Sequence, residues 1–405
     1  MQMNFSLMPA AVLLLPFALP AAGGEPYVPW APGKPMPKAA ECPLLDDVGF
    51  AVIKPREPET DGYNWLHGVA VCWHKGRLYA SFGHNKGHEN TATEEARGRT
   101  SSDGGKTWGE VFTMDPGEDN LAISHGVFLS HDGQLWAFMG AFYDHFQQTH
   151  TRAYLLDEQT GRWQPKGAVV DEGFWPMQEP VRMDDGNWIM SGCRVGRGYN
   201  RDHLPAVAIS DGDNLTAWRM VVIPKDDGVG DIWGESTVIV DGNWVMNLSR
   251  YGQEARALVA VSEDYGRTWT RSRPSNMPMA TSKPYTGTLG TGQHYLVCTT
   301  TADSGGRRSP LTIAITRPGE RVFSAIYRIR DAVHDGPGES HENARLSYPY
   351  AVEHEGKLYV AYSNCGGRGA NRNSAELAII PIEKLVAESL EDRQGDGVPL
   401  RTERR

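Results

Sequence analysis

Short runs of apolar and aromatic residues alternate with polar turns along most of the chain. Six of these turns share one pattern, in which a polar or charged residue and a glycine precede a short apolar strand. The tight turn of a hairpin needs a positive φ, which glycine adopts at no steric cost, so each copy predicts a β-hairpin. The copies are residues 74–79, 131–136, 184–189, 240–245, 290–295 and 354–359.

The spacing of these hairpins is nearly constant. Their glycines fall 57, 53, 56, 50 and 64 residues apart, which leaves room in each unit for about four strands of ordinary length. A repeat of this size carrying four strands is typical of a β-propeller, with one blade per repeat. The sequence therefore predicts an all-β, six-bladed β-propeller. The glycines are Gly76, Gly133, Gly186, Gly242, Gly292 and Gly356.

A second motif, S-x-D-x-G-x-T-W, occurs at residues 101–108 and again at residues 262–269. Its aspartate can accept backbone N–H bonds within the turn, and its glycine takes the positive-φ position. The tryptophan is expected to pack between neighbouring sheets. These residues are therefore predicted to stabilise the fold and not to catalyse.

Composition narrows the class of protein. The 405 residues include 40 Lys and Arg against 50 Asp and Glu, a formal charge of −10, which argues against a dedicated nucleic-acid binder. Hydrophobic residues make up 40% of the chain, enough to bury a core. The 45 glycines and 26 prolines favour a turn-dense chain of short strands.

The N-terminus has the pattern of an export signal. An apolar stretch from Met8 to Leu19 is too short to span a membrane and is followed by small residues, although no Lys or Arg precedes it. An uncleaved anchor is the alternative. We expect a signal peptide at 1–24, a closure segment at 25–60, the propeller at 61–385 and a polar tail at 386–405. The mature chain is then secreted or periplasmic, without a transmembrane segment.

The five cysteines are scattered singly, with no C-x-x-C pair. This spacing predicts neither a zinc site nor a small disulfide scaffold. Most of the cysteines are expected to be buried as small hydrophobic residues. No metal ion or other cofactor is predicted.

The two S-x-D-x-G-x-T-W motifs resemble the Asp boxes of sialidases and related BNR-repeat proteins, which are six-bladed propellers. The resemblance implies an exo-acting glycoside hydrolase, of the exo-α-sialidase type, whose partner is a glycan substrate. Members of this family surround the substrate carboxylate with three arginines. They use a tyrosine nucleophile assisted by a glutamate, and an aspartate as the acid/base.

Four residues match that active site in order along the chain. The resemblance assigns Glu235 and Arg250 to the family's glutamate and second arginine, Arg308 to the third arginine, and Tyr348 to the nucleophile. The chemistry is consistent, because a phenol with a pKa near 10 attacks well only when a neighbouring base takes its proton. A tyrosine also avoids the repulsion that a carboxylate nucleophile would meet at an anionic sugar.

Two positions depart from the family pattern. His67 stands where the first arginine is expected, and a neutral imidazole cannot supply the planar five-donor guanidinium. Glu95, with Glu94 beside it as an alternative, stands where the acid/base aspartate is expected. The first change weakens the case for sialic acid and favours another sugar, either a uronate or an uncharged glycoside.

Three further residues are candidates for substrate binding. Glu179 and Arg182 occupy in the third blade the place that Glu235 occupies in the fourth. His84 lies in the polar stretch 81–89, which could form the rim of a substrate-binding site or a metal site built from His and Glu side chains.

The sequence thus predicts retaining exo-glycoside hydrolysis with Tyr348, Glu235 and Glu95 as catalytic residues. Arg250, Arg308 and His67 would bind the acidic or hydroxyl-rich end of the sugar. Two alternatives remain open. One is a uronate-directed polysaccharide lyase, or a glycosidase centred on His67 and His84. The other is a propeller that binds carbohydrate without turning it over.

Overall fold

The computed structural model describes residues 27–171, 173–196 and 203–387. The expected signal peptide and nearly all of the expected polar tail lie outside these residues. No helix within the described ranges is both long and apolar enough to cross a membrane.

The described part of the chain is almost entirely β-structure, with one four-residue helix, α1, and a 3₁₀ turn near each end. The first half contains β1 Gly49–Lys54, α1 Pro58–Asp61, β2 Trp65–His74, β3 Arg77–Asn85, β4 Glu94–Ser101, β5 Phe112–Asp115, β6 Leu121–His131, β7 Gln134–Tyr143, β8 Gln147–Asp157, β9 Arg162–Val170, β10 Phe174–Pro176, β11 Val181–Arg182 and β12 Trp188–Arg194. The second half contains β13 Leu204–Asp211, β14 Asn214–Val222, β15 Ser236–Asp241, β16 Trp244–Arg250, β17 Arg256–Ser262, β18 Arg273–Pro278, β19 Tyr285–Thr288, β20 His294–Cys298, β21 Leu311–Thr316, β22 Phe323–Arg330, β23 Leu346–His354, β24 Lys357–Asn364 and β25 Ser374–Pro381. The 3₁₀ turns are Ala39–Glu41 and Ile382–Lys384.

The strands form six antiparallel sheets, which confirms the predicted all-β six-bladed β-propeller. Five sheets use consecutive strands: β2 to β5, β6 to β9, β10 to β14, β15 to β18 and β19 to β22. The first strands of neighbouring sheets contact one another at five junctions of the ring, and β12 contacts β15 at the sixth, so the first strands line the central channel. All six run through the channel in the same direction. Residues at the starts of these strands therefore meet at one mouth, and residues at their ends meet at the other.

The sixth sheet closes the ring with strands from distant parts of the chain. Its order is β23, β24, β25 and β1, with β1 pairing antiparallel to β25 from Gly49 opposite Ile379 onward. Residues 49–54 thus supply the outer strand of the last blade.

The two repeated motifs adopt the geometry that their residues predict. The six hairpin glycines have φ between 63° and 88°, at the turns between the first two strands of the blades. In the Asp box at 262–269, the Asp264 carboxylate accepts N–H bonds from Arg267 and Thr268 at 3.1 and 2.8 Å. The Trp269 indole donates to the Gly266 carbonyl at 2.8 Å. Both motifs lie between the third and fourth strands of a blade, toward its outer edge.

The hydrophobic core fills the spaces between adjacent sheets. Its largest cluster runs through the blades on both sides of the ring closure, and a second cluster joins the fourth and fifth blades. All five cysteines are buried and free, in agreement with their expected role as small hydrophobic residues.

Candidate active site

A pocket with an empty volume of about 520 Å³ lies at the mouth of the channel where the first strands begin. The polar residues that line it include His67, Glu89, His125, Glu235 and Tyr348. Its aromatic and apolar lining includes Phe146, Trp175, Met177, Val195 and Trp233. A separate cavity at the opposite mouth is lined by the far ends of the same strands.

Three of the inner strands carry the same irregularity at the level of this pocket. In β2, β6 and β23, three residues span the distance that two residues span on the neighbouring strand. Such a bulge bends the strand and turns a side chain away from the regular alternation. The bulge on β6 contains His125, the bulge on β23 contains Tyr348, and His67 directly precedes the bulge on β2; all three residues line the pocket. Tyr348 has a φ of 54°, which is strained for a residue other than glycine.

Three of the predicted residues form a hydrogen-bonded cluster. The Tyr348 hydroxyl donates to Oε1 of Glu235, and Nη1 of Arg250 donates to the same oxygen at 2.8 Å. Nη1 of Arg250 also lies 3.4 Å from the Tyr348 hydroxyl oxygen. All three side chains are buried. The structure therefore brings together a tyrosine from the sixth blade with a carboxylate and a guanidinium from the fourth.

The protonation of the pair follows from this environment. Burial would raise the pKa of the Glu235 carboxyl, but the Arg250 charge and the bonds from Tyr348 and Arg250 outweigh burial and lower it. Burial and the adjacent Glu235 charge raise the pKa of Tyr348 well above its usual value. The resting proton is therefore on the phenol, and the carboxylate beside it is ionised and able to accept that proton.

Arg308 lies alongside this cluster, with its guanidinium carbon 5.8 Å from the centre of the Tyr348 ring. Its Nε and Nη2 donate to the Thr281 carbonyl at 3.2 and 2.9 Å, which fixes the orientation of the guanidinium. Arg308 also lines a neighbouring cleft together with Arg307 and Arg345.

His67 packs against the nucleophile candidate, with the two ring centres 3.8 Å apart. Its Nδ1 lies 3.1 Å from the Asn373 amide nitrogen, which can only donate, so Nδ1 accepts and Nε2 carries the proton. Burial lowers the pKa of His67 well below its usual value, and nearby positive charges add to this effect. The position of the expected first arginine is therefore filled by a neutral hydrogen-bond donor.

Sequence reasoning did not single out His125 as a site residue, yet it lines the pocket. The Trp175 indole donates to its backbone carbonyl at 3.1 Å. A signal was present in the sequence, because His67-Gly68-Val69 in the first blade recurs as His125-Gly126-Val127 in the second. Both rings line the pocket, with their centres 6.2 Å apart.

The placement expected for Glu95 is corrected by the structure. Its carboxylate accepts a hydrogen bond from Tyr63 at 2.9 Å and pairs with Lys86 at 3.3 Å, and it does not line the pocket. Glu89, from the loop before β4, lines the pocket instead and accepts a bond from Asn371 at 2.8 Å. Burial raises the pKa of Glu89. Glu94, the alternative to Glu95, is fully buried behind the pocket wall.

Three predicted substrate-binding residues are also placed away from the pocket. Glu179 lines the cavity at the opposite mouth, where the Tyr285 hydroxyl donates to its carboxylate. Arg182 is exposed and pairs with Asp213. His84, on β3, stacks on Tyr63 with ring centres 4.1 Å apart and bonds to Arg97, and it does not line the pocket.

Among the described residues, no group of three or more His, Cys, Asp or Glu side chains is arranged to hold a metal ion. The chemical groups that line the pocket are the phenol–carboxylate pair, the imidazoles of His67, His125 and His203, and the Glu89 carboxyl. The Arg250 guanidinium is bonded to the pair from outside this lining, and Arg308 lines the neighbouring cleft.

The chain resembles several solved structures in fold. It aligns with a Dyadobacter fermentans protein of unknown function at 16% identity and a TM-score of 0.62, over 83% of this chain and 99% of that one. The Hadza microbial sialidase Hz136 aligns at 12% identity and 0.63, over 82% and 68%. A Trypanosoma rangeli sialidase bound to the inhibitor DANA aligns at 12% and 0.60, over 84% of this chain and 61% of its own length.

Sequence comparison also identifies the family to which the chain belongs. None of the curated proteins matches the chain. The family model described as a BNR repeat-like domain matches residues 115–360, which is more than half of the chain and includes five of its six hairpin copies. Since this match agrees with the six-bladed ring and with its sialidase neighbours, the chain belongs to the BNR repeat-like family and has a sialidase-like fold.

Proposed function

We propose that the protein is an exo-acting glycoside hydrolase that removes a terminal sugar from glycans with retention of configuration. The observation that carries this proposal is the buried cluster of Tyr348, Glu235 and Arg250 at one mouth of the channel. A phenol bonded to an ionised carboxylate is a nucleophile with its base already in place. The sialidase structures that share the fold support this interpretation.

The reaction would proceed in two steps. In the first step, Glu235 takes the phenol proton as the Tyr348 oxygen attacks the anomeric carbon, and an acid protonates the departing oxygen. In the second step, a base takes a proton from water as the water oxygen attacks the same carbon, and Glu235 returns its proton to the phenol. The acid and the base have to face the pocket. Glu95 does not face it, whereas Glu89 and His125 do.

The sugar would lie in the pocket beside Tyr348. Trp175 and Trp233 line the pocket and offer apolar surface to the faces of a sugar ring. Arg250, bonded to Glu235, and Arg308, beside the Tyr348 ring, would bind its acidic or hydroxyl-rich end. Because His67 is a neutral donor where a third guanidinium is expected, a sugar with a hydroxyl at that position fits better than one that needs three arginines. We therefore place a uronate or an uncharged sugar ahead of sialic acid.

The test is a panel of chromogenic glycosides that includes a sialoside, a uronide and several deoxy sugars. Tyr348→Phe should reduce kcat/KM on the cleaved glycoside by about 10³-fold or more, because it removes the nucleophile. Tyr359→Phe, which alters a buried tyrosine outside the pocket, is the matched control. Equal rates in wild type and Tyr348→Phe would exclude this mechanism, and cleavage of the sialoside alone would show that His67 does not select against sialic acid.

A second candidate function is supported by the two imidazoles. Nε2 of His67 and Nε2 of His125 are buried and have no hydrogen-bond partner among the described residues. A lyase acting on uronate-containing chains would use such groups to move protons. His125 would then have the role that the sequence predicts for His84. A lyase leaves an unsaturated sugar that absorbs in the ultraviolet, and a hydrolase does not.

The remaining alternative is a propeller that binds carbohydrate without cleaving it. In that case Glu235→Gln and Tyr348→Phe would retain glycan binding, and the wild-type protein would turn over no glycoside in the panel.

A further inference from the structure

A chain of hydrogen bonds leads from a buried carboxyl group to the pocket. Oε1 of Glu94, on β4, is bonded to the Ser124 hydroxyl on β6, and that hydroxyl lies 3.1 Å from Nδ1 of His125. The far nitrogen of the imidazole, Nε2, is buried and has no hydrogen-bond partner among the residues that the structure describes. Since His125 lines the pocket, this nitrogen is the group through which the chain can reach a bound molecule.

Two glycines make room for this chain. A Cβ at Gly68 would lie 2.1 to 2.5 Å from atoms of the His125 side chain. A Cβ at Gly83 would lie 2.9 Å from Oε1 of Glu94 and 3.0 Å from the Ser124 hydroxyl oxygen. The three groups are therefore held in contact by close packing against two strands of the first blade.

The chain has two consistent arrangements of its protons. If Glu94 is protonated, it donates to Ser124, Ser124 donates to Nδ1, and Nε2 of His125 carries a hydrogen. If Glu94 is ionised, Ser124 donates to Glu94, Nδ1 donates to Ser124, and Nε2 has a free lone pair. The Asn90 N–H donates to the other Glu94 oxygen at 3.3 Å, which leaves Oε1 for the exchange with Ser124.

We propose that Glu94, Ser124 and His125 form a proton relay, and that His125 is the acid/base of this active site. This inference rests on the proposed glycoside hydrolysis. In the first step, Nε2 gives its proton to the departing oxygen, Nδ1 takes the Ser124 proton, and Ser124 takes the Glu94 proton. In the second step, Nε2 takes a proton from the attacking water, and the same transfers run in reverse until Glu94 is protonated again.

The electrostatics of the site explain why a lone imidazole would not serve. Burial, assisted by the Lys283 charge and opposed by Glu235, lowers the pKa of His125 to about 3. An imidazolium is therefore unfavourable at neutral pH, but the relay never requires one, because each proton that enters at one nitrogen leaves at the other.

Glu94 is suited to the storage of that proton. Burial raises the pKa of Glu94 to about 8, with Ser124 opposing and the nearby Glu89 charge assisting. A group that must donate in one step and accept in the next works best when its pKa is near the working pH. The other titratable groups that face His125 are His67 and Tyr348, at ring-centre distances of 6.2 and 6.1 Å.

The first test measures the relay without turnover. In protein labelled with ¹⁵N-histidine, His125 should carry its proton on Nε2 below pH 8 and on Nδ1 above it. The change should be centred near the Glu94 pKa of about 8. Glu94→Gln keeps the shape of the side chain but cannot titrate, so it should hold His125 in a single tautomer. A wild-type His125 that keeps one tautomer from pH 6 to pH 10 would overturn the relay.

The second test uses the glycoside that the panel identifies, with two leaving groups. An alkyl leaving group needs protonation, whereas dinitrophenolate departs without it. Ser124→Ala and Glu94→Gln should each slow cleavage of the alkyl glycoside by about 10²-fold or more. With the dinitrophenyl glycoside they should retain a burst at nearly the wild-type rate, followed by slow turnover. Ser275→Ala, a buried serine on β18, should behave as wild type.

Glu89→Gln tests the competing carboxyl. If Glu89→Gln produces the slow alkyl cleavage and the retained burst, while Ser124→Ala does not, Glu89 is the acid/base and the relay proposal is overturned. The proposed hydrolysis fails separately: full activity in Tyr348→Phe would remove it even if the His125 tautomer still changes with pH.

Discussion

Lys283 is buried beneath the pocket, where its ammonium group donates a hydrogen bond to the Pro349 carbonyl at 2.8 Å. The ammonium also lies 5.2 Å from the centre of the Tyr285 ring. Burial lowers the pKa of Lys283 to about 7, although Glu179 and Glu235 oppose the change. Lys283 is therefore close to losing its charge at neutral pH, directly behind the residue that follows Tyr348.

We predict that Lys283 makes stability depend on pH above neutrality. Between its folded pKa of about 7 and its unfolded value near 10.4, the unfolded chain binds a proton that the folded chain does not. The free energy of unfolding should therefore rise with pH in this window, by at most about 1.4 kcal/mol per unit. Lys283→Met should remove that rise. Urea unfolding at pH 7 and pH 9.5 measures the rise in the free energy of unfolding. An equal rise in Lys283→Met would show that Lys283 is not its source.

At the scale of the element, the three bulges on β2, β6 and β23 determine what the pocket contains. Each bulge adds one residue to an inner strand near the same mouth, and side chains in or beside the bulges of three blades line one pocket. The bulge on β2 depends on Gly68, which has a φ of 68° and lies against the His125 ring.

We predict that Gly68→Ala costs more stability than the positive φ alone explains. Gly76 has a φ of 75° and open space around its Cβ position, so Gly76→Ala should cost only about 1 kcal/mol. Gly68→Ala adds overlap with His125 and should cost about 2 to 4 kcal/mol. It should also lower activity, because His125 has to move. Denaturant unfolding measures the stability of both variants. Equal losses in the free energy of unfolding would show that the His125 side chain can move aside without destabilising the protein.

The elements that carry a repeated sequence motif were predictable from the sequence, and the repeats also predicted their places in the ring. The six hairpin glycines and the Asp boxes fixed the blades, and the order of the strands then placed Glu235, Arg250 and Tyr348 at one mouth. The place of Glu89 in the pocket was not predictable, because no repeat covers residues 86–93. The place of His84 away from the pocket was not predictable either, because one residue of register decides which face of the sheet a strand side chain occupies. His125 had a repeated signal, but only the bulge explains why it turns inward.

At the scale of the whole molecule, the sixth sheet links the stability of the ring to the pocket. It contains Tyr348 on β23 and is completed by β1, whose Ile53 is fully buried in the largest core cluster. No residue of β1 lines the pocket. Any effect of β1 on activity therefore has to pass through the closure of the ring.

We predict that Ile53→Ala lowers the free energy of unfolding by about 2 to 5 kcal/mol, through the cavity that it leaves. Activity and tryptophan fluorescence should be lost together in urea, at a lower midpoint than in wild type, because the pocket exists only while the ring is closed. Val333→Ala, at a position that is 63% exposed, should change neither midpoint. Loss of activity well before loss of fluorescence would show that the sixth sheet opens on its own.

This ring closure also sets an order of events during synthesis. Residues 49–54 leave the ribosome early but have no strand to pair with until residues 374–381 have followed. A nascent chain can assemble its middle blades one after another, yet it holds no finished pocket until the two distant segments meet. Catalytic competence should therefore be acquired in a single late step, which pulse-labelled translation with an activity readout would detect.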